Sequence, residues 1–350
     1  MAYPARFYAA FHRGTPGDLE HYRRICHGAA SVLELGCGYG RVVTALAAPG
    51  RCVVGVDRDP ALLAMAEASV GALPAAHRSG VELRVGDMRH VDLGRRFDRV
   101  LLPFGGLYCM LDDADLDATL ANVRRHLAPG GRVALDVYRA DEFHHESEPE
   151  DVPDDAYTPL GRVEVDGVAY EVLERSTWDK PRQRLDVHYL YVEQDGRIVE
   201  GTIAQRYLLE DQLRAALARA GLTILRLDRG FAPHEAGELP NDARHDGAER
   251  GDGRHDPHRD DPHGNHPHGN HPHRDDPHDR YGDDPHGDDD PHGDDPHGDD
   301  PHGDDQHGDD PHCDAPHCDA PHCDDPYDDD DAEALMVVEA IASPGGIASR

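Results

Sequence analysis

The stretch "SVLELGCGYGR", Ser31 to Arg41, restricts the fold more than any other. A short apolar run leads into Gly36-x-Gly38-x-Gly40, and residues suited to a helix follow. A strand, a glycine turn and a helix in that order form the first unit of a parallel α/β sheet. The residues that follow repeat the alternation. "CVVGV" (Cys52 to Val56) is a second strand, and Asp59-Pro60 reads as a helix cap with proline in the first turn. "VELRV" (Val81 to Val85), "DRVLL" (Asp98 to Leu102) and "RVALDV" (Arg132 to Val137) are three more strands. The helix before the last of them carries Leu116, Leu120, Val123 and Leu127 on one face, and Pro129-Gly130 is expected to stop it. Upstream, "TPGDLEHYRRICHGA" predicts a helix capped by Thr15.

After Val137 the period changes. Residues from about Leu160 to Tyr207 alternate and are rich in β-branched and aromatic types, with Asp166-Gly167 and Asp195-Gly196 where hairpin turns belong. This predicts an antiparallel insert within about 150–207. "EDQLRAALARA" is then a helix ended by Gly221, and "LTILRLD" (Leu222 to Asp228) a sixth strand.

Charge divides the chain. Asn241 to Asp331 holds 31 of the 70 acidic and 6 of the 35 basic residues, a net of −25 out of −35. The remainder, at −10, is mildly acidic and offers no basic groove for nucleic acid. The tract repeats Asp, His, Pro and Gly with a five-residue step, as in His297, His302 and His307. That period fits neither helix nor strand, and without apolar side chains nothing offsets chain entropy, so a disordered loop is expected. Its imidazoles and carboxylates allow weak divalent metal binding, yet no spacing matches a structural metal site, and no metal ligand is assigned. No apolar run is long enough for a membrane span, and "MAYPARFYAAFHRGTPGD" lacks a signal core. Cys26, Cys37, Cys52 and Cys109 sit in apolar contexts with no CxxC among them, as in a reduced, cytoplasmic protein.

The glycines of "LELGCGYGR" permit a tight turn and close approach of a ligand to the backbone. A dinucleotide loop would need G-x-G-x-x-G; here the third glycine comes one residue early, and Glu34 would repel a pyrophosphate but suit an ammonium. A glycine turn with an acid some way on is also compatible with another nucleotide-binding fold. The stretch resembles the first motif of the class I S-adenosylmethionine-dependent methyltransferases. The resemblance runs on through "VVGVDRD", "VGDM", "FDRVLLPFGGLYCM" and "LAPGGRVALDV", in family order over about Val32 to Val137. It implies a Rossmann-like α/β fold whose seven-stranded, mostly parallel sheet ends in an antiparallel strand. That last strand would be "EALMVVEAIA", Glu333 to Ala342, lying between the fifth and sixth.

The organisation then expected is a methyltransferase domain over 1–240, the tract as a hairpin loop over 241–331, and a strand within 332–350 completing the sheet. The implied cofactor is S-adenosyl-L-methionine. It would be held by Glu34, Gly36, Cys37, Gly38 and Gly40, by Asp57 on the ribose hydroxyls with Arg58 beside it, by Asp87 and Met88 at the adenine, and by Pro103. Asp98 is expected to hold loops rather than to act in catalysis. "FYAAFHRG" is expected to form a lid, with Tyr8 and Arg13 within reach of the cofactor carboxylate.

The loop after the fourth strand reads Leu102-Pro103-Phe104-Gly105 and lacks the polar Asn/Asp-Pro-Pro-aromatic stretch of enzymes that methylate bases or protein amides. This resembles the small-molecule branch. The expected reaction is in-line methyl transfer to a small-molecule acceptor, with Tyr108, Asp136 and His144 as candidate catalytic groups at the carboxyl ends of the strands. Tyr138 and His145 lie beside them. Trp178, Tyr189, Tyr191 and Tyr207 are candidates to wall the acceptor pocket. The alternatives are a protein or RNA methyltransferase, and a metal-sequestering protein on a vestigial methyltransferase scaffold.

Overall fold

The computed structural model describes residues 3–152, 156–231 and 335–343. The first unit follows the sequence closely. Strand β1 (Ser31–Leu35) enters the glycine loop, and helix α3 (Arg41–Leu46) leaves it. Two short helices precede them, α1 (Ala5–Phe11) and α2 (Asp18–Ile25). Gly17, in the left-handed region, is the N-cap of α2, whereas Thr15 was the expected cap. Asp18 takes the acceptor role instead: its Oδ2 accepts from the Thr15 amide at 3.3 Å.

Strand β2 (Cys52–Asp57) is followed by α4 (Pro60–Gly71), whose cap is Asp59, with Oδ1 accepting from the Ala61 amide at 2.8 Å. A short α5 (Ala75–Arg78) leads to β3 (Val81–Val85) and then β4 (Phe97–Leu102). Asp98 accepts from the amides of Ala30 and Ser31 at 2.9 and 3.0 Å and so ties β4 to the entry of β1. Helix α6 (Asp113–His126) ends before Pro129-Gly130, because "LAPGG" already belongs to the long β5 (Leu127–Tyr138).

Helix α7 (Asp141–Glu146) follows β5. The insert is a separate four-stranded sheet of β6 (Thr158–Val165), β7 (Val168–Asp179), β8 (Arg184–Glu193) and β9 (Ile198–Ile203), paired in sequence order. At the first hairpin both Asp166 and Gly167 have positive φ, as a tight turn between twisted strands requires. Helix α8 (Glu210–Arg219) and β10 (Leu222–Arg229) return the chain to the main sheet, and β11 (Leu335–Ala342) completes it.

The main sheet has the order β10-β11-β5-β4-β1-β2-β3. Strand β11 lies between β5 and β10 and is antiparallel to both, with Val338 opposite Leu135 and Leu227. Met336, Val337, Val338 and Ala340 are buried, as a strand covered on both faces demands. The fold is thus α/β and Rossmann-like, with an antiparallel last strand and a β insert. The repeat tract, and with it the expected disordered loop over 241–331, lies outside the described residues. Among the described residues no helix is long and apolar enough to cross a membrane, and no cluster of metal ligands occurs.

Candidate active site

The glycine loop sits at the carboxyl end of β1, where open α/β sheets bind ligands. The amides of Gly36 and Cys37 both donate to the Val56 carbonyl, at 2.8 and 2.9 Å, pinning the loop to β2. Cys37 is buried beside Gly55, where a Cβ would come within 2.9 Å of its sulfur. Gly40 faces α4: an added Cβ would stand 2.8 Å from the Ala66 Cβ. Gly38 has nothing within 4 Å of that position, so its outer side is open. These two glycines serve different ends, Gly40 for helix packing and Gly38 for clearance.

Asp57 ends β2 beside this opening. Its Oδ2 accepts from the Gly38 amide at 2.7 Å and its Oδ1 from the Asp59 amide at 2.9 Å. Burial pushes its carboxyl above the ordinary value. Glu34, on β1, is 3% exposed. Burial pushes it up to about 8, against the opposing pull of the Arg41 guanidinium, and its Oε2 has no partner among the described residues. A buried carboxylate oxygen without a donor is costly and points to a ligand that supplies one. The Met88 side chain approaches Gly36, with Cε 3.0 Å from the position of a Cβ there. Asp87 is engaged differently: Arg89 Nε donates to its Oδ1 at 2.9 Å and Nη2 to its Oδ2, holding the carboxyl down at about 2. Arg58 is exposed just past Asp57, and Pro103 is buried at the end of β4.

Asp136 carries the loop after β4. Phe104 has φ of 55°, in the left-handed region, and its amide donates to both carboxylate oxygens of Asp136 at 3.0 and 2.9 Å. The Tyr22 hydroxyl donates to the same carboxylate. Burial pushes Asp136 up to about 6, against these donors. The group therefore holds a strained loop at the mouth of the site. Tyr108 is wholly buried, and its hydroxyl donates between the carbonyls of Tyr138 and Leu208, each at 3.0 Å. His144 stands on α7, its Nδ1 hydrogen-bonded to the Tyr207 hydroxyl at 2.8 Å. It lines a cavity of about 410 Å³ with Glu148, Lys180 and Gln212, whose lining contains none of the glycine-loop residues. Sequence proximity to β5 brought these three candidates together; the fold distributes them over a core, a loop anchor and a separate hollow.

The N-terminal segment packs against the glycine loop and the insert. His12 is 5% exposed, and burial lowers its imidazole to about 4, so it stands neutral. Its Nε2 is hydrogen-bonded to the Tyr3 hydroxyl at 2.9 Å, and its carbonyl accepts from the Tyr39 hydroxyl of the glycine loop at 3.0 Å. The ring lies 6.2 Å from Phe104 and 5.1 Å from Tyr189 of the insert. Arg41, at the start of α3, grips Asp18 of α2 with two hydrogen bonds. Tyr8 feels the charges of Asp57 and Arg41 and is pushed up by burial. The expected wall residues divide. Tyr189 and Tyr191 pack under α1, while Trp178 donates through Nε1 to the Tyr207 hydroxyl at 3.0 Å. His12, Asp18, Tyr22 and Arg41 were absent from the sequence-based site, since their contacts follow no local period, and that of Tyr22 spans 114 positions. The signal available was "HRGTPGD", upstream of the glycine loop.

The chain is similar to known proteins in sequence and fold. Residues 32–131 match the family model described as a methyltransferase domain. The chain is 28% identical over 216 residues to the dTDP-3-amino-3,6-dideoxy-alpha-D-glucopyranose N,N-dimethyltransferase of Streptomyces fradiae, covering 61% of this chain and 78% of that one. It is 29% identical over 198 residues to the dTDP-4-amino-2,3,4,6-tetradeoxy-D-glucose N,N-dimethyltransferase of Saccharopolyspora spinosa, covering 55% of this chain and 72% of that one. Among solved structures it resembles the CcbJ methyltransferase from Streptomyces caelestis, with a TM-score of 0.52 and 26% identity over 62% of this chain and 89% of that one. Fold, motif and likeness together define an α/β enzyme that transfers methyl groups. The chain is an S-adenosylmethionine-dependent methyltransferase with S-adenosyl-L-methionine as its cofactor, and it is similar to the class I enzymes.

Proposed function

We infer that the enzyme methylates an amino group on a small, sugar-like acceptor. The observation that carries this reading is the pairing of an open glycine loop with two carboxylates, buried Glu34 and half-buried Asp57, beneath an aromatic roof. The residues fit the cofactor. The orphaned Glu34 oxygen suits an ammonium, Asp57 suits a diol, and the clearance at Gly38 suits close passage of a ligand. The two N,N-dimethyltransferases named above act on amino sugars, which favours nitrogen as the acceptor atom.

The cofactor, when bound, supplies a methyl group already activated on a sulfonium, and transfer is an in-line displacement. The chain then has to align the acceptor and exclude water. Phe104, fixed by Asp136, and His12, fixed by Tyr3 and Tyr39, narrow the mouth above the loop. Asp136 acts as a positioning residue, because both its oxygens are held by the Phe104 amide. Burial keeps His12 neutral and makes its imidazole a weak base, so it shapes that mouth, and the acceptor amine has to arrive already deprotonated. Methylation of dTDP-linked and free amino sugars, followed by mass spectrometry, tests the reading. Addition of one or two methyl groups is expected, with none on hydroxyl counterparts; methylation of the hydroxyl counterparts alone would contradict it.

A further inference from the structure

The insert turns one face toward α1 and the main core, and that face is not uniformly apolar. Alternation along β7 puts Val172, Glu174, Ser176 and Trp178 on it. Val172 is fully buried in the cluster beneath α1. Trp178 packs against the main core, its ring 4.2 Å from that of Phe143. Between these two apolar ends β7 presents a carboxylate and a hydroxyl. Glu174 lies directly opposite Tyr189 of β8 and shares a hydrogen bond with its side chain.

Charge is sorted between the two faces. Arg175 and His188, paired across β7 and β8, point to the other side, as does the Arg184–Asp186 ion pair. Among the described residues no ion pair engages Glu174. Burial raises its carboxyl above the usual range, the cost of a charge with only a neutral partner. Its partner Tyr189 links it to the cofactor loop. Tyr189 lies 5.1 Å from His12, and His12 lies 6.2 Å from Phe104 at the mouth of the cofactor loop. A cation arriving there would satisfy Glu174, whereas a diphosphate would meet a negative group on a face where β7 and β8 supply no positive one.

We propose that Glu174 is a specificity-determining residue of the acceptor site, its carboxylate holding an ammonium group of the acceptor in the notch between the two apolar clusters. This rests on the reading of the enzyme as a methyltransferase of amino-bearing small molecules. It adds that the part of the acceptor lying against the insert is cationic, not a nucleotide diphosphate.

Trp178 is the sole tryptophan of the chain and shares a face with Glu174, so its fluorescence reports on the notch. The probes are methyl 3-amino-3-deoxyglucoside and its 3-hydroxy counterpart, titrated into the full chain saturated with S-adenosylhomocysteine. The amino probe should quench Trp178, and Glu174→Gln should weaken its binding about 30-fold, the loss typical of removing one partner of a buried charge pair. Glu174→Asp should recover part of that loss. The hydroxyl probe should bind both proteins weakly and alike, and cofactor affinity should not change. Equal affinity of wild type and Glu174→Gln for the amino probe, equal losses for the two probes, or no response of wild type to the amino probe would overturn the proposal. Binding that depends on Glu174 without methyl transfer to nitrogen would leave it standing and sink the functional reading instead.

Discussion

Two alanine substitutions two residues apart should fail in opposite ways. Gly38 and Gly40 both have positive φ, 53° and 83°, so either change forces an alanine into the left-handed region at about 1–2 kcal/mol. Gly40→Ala also places a methyl group 2.8 Å from the Ala66 Cβ and 3.2 Å from its Cα on α4. Neither is the flexible end of a side chain, so α3 and α4 must separate, at a further 1–3 kcal/mol or so. The expected loss of stability is about 2–5 kcal/mol for Gly40→Ala and about 1–2 kcal/mol for Gly38→Ala. At this size 1 kcal/mol corresponds to about 2–4 °C of Tm. Gly38→Ala meets no protein atom within 4 Å, so its methyl group projects into the ligand space. It should fold nearly as well as wild type yet lose most affinity for S-adenosylmethionine. Urea denaturation and calorimetric titration of both variants separate the two effects. Equal stability of the variants, or wild-type cofactor affinity in Gly38→Ala, would refute the division of roles.

Glu34, raised to about 8, is largely protonated at pH 7 and must ionise to hold an ammonium. Cofactor affinity should therefore rise from pH 6 to about 8 with release of a proton, seen in buffers of differing ionisation enthalpy, and Glu34→Gln should abolish the release. Asp136 is raised from 3.8 to about 6, so the folded state keeps a proton that the unfolded chain gives up. Its contribution to stability is fully present below about pH 4 and is lost as pH rises to about 6. Asp136→Asn should flatten that slope in urea midpoints measured across the window; an unchanged slope would count against the assignment. Ending the chain at Asp331 removes β11 and exposes the edges of β5 and β10, so insoluble or cofactor-free protein is expected. A soluble, cofactor-binding product would show the strand to be dispensable.

The main sheet was legible because each strand is a local apolar run and each turn carries its glycine or cap, as at Asp59 and Gly40. The position of β11 was legible only through the family resemblance, since nothing in "LMVV" itself specifies pairing with β5. The glycine loop and Asp57 were legible for the same local reason. The roof was not. Tyr22 reaches Asp136 across 114 positions of sequence, and Tyr3 reaches Tyr191 across 188, and neither contact leaves a periodic trace. Tyr108 sat in the right motif, but its hydroxyl is spent on two carbonyls, a fact only burial reveals. Along β7 both alternating phases mix polar and apolar residues, so the inward face of Glu174 followed only from the register with β8.

The glycine loop with Glu34 and Asp57 is the proposed cofactor site. Calorimetric titration of S-adenosylmethionine into wild type and Asp57→Ala tests that most directly. Wild type should bind in the micromolar range, and the variant should lose about 1–3 kcal/mol, the worth of the hydrogen bonds that Asp57 makes to a ribose diol. Absence of binding to wild type, or equal affinity in the two proteins, would contradict it.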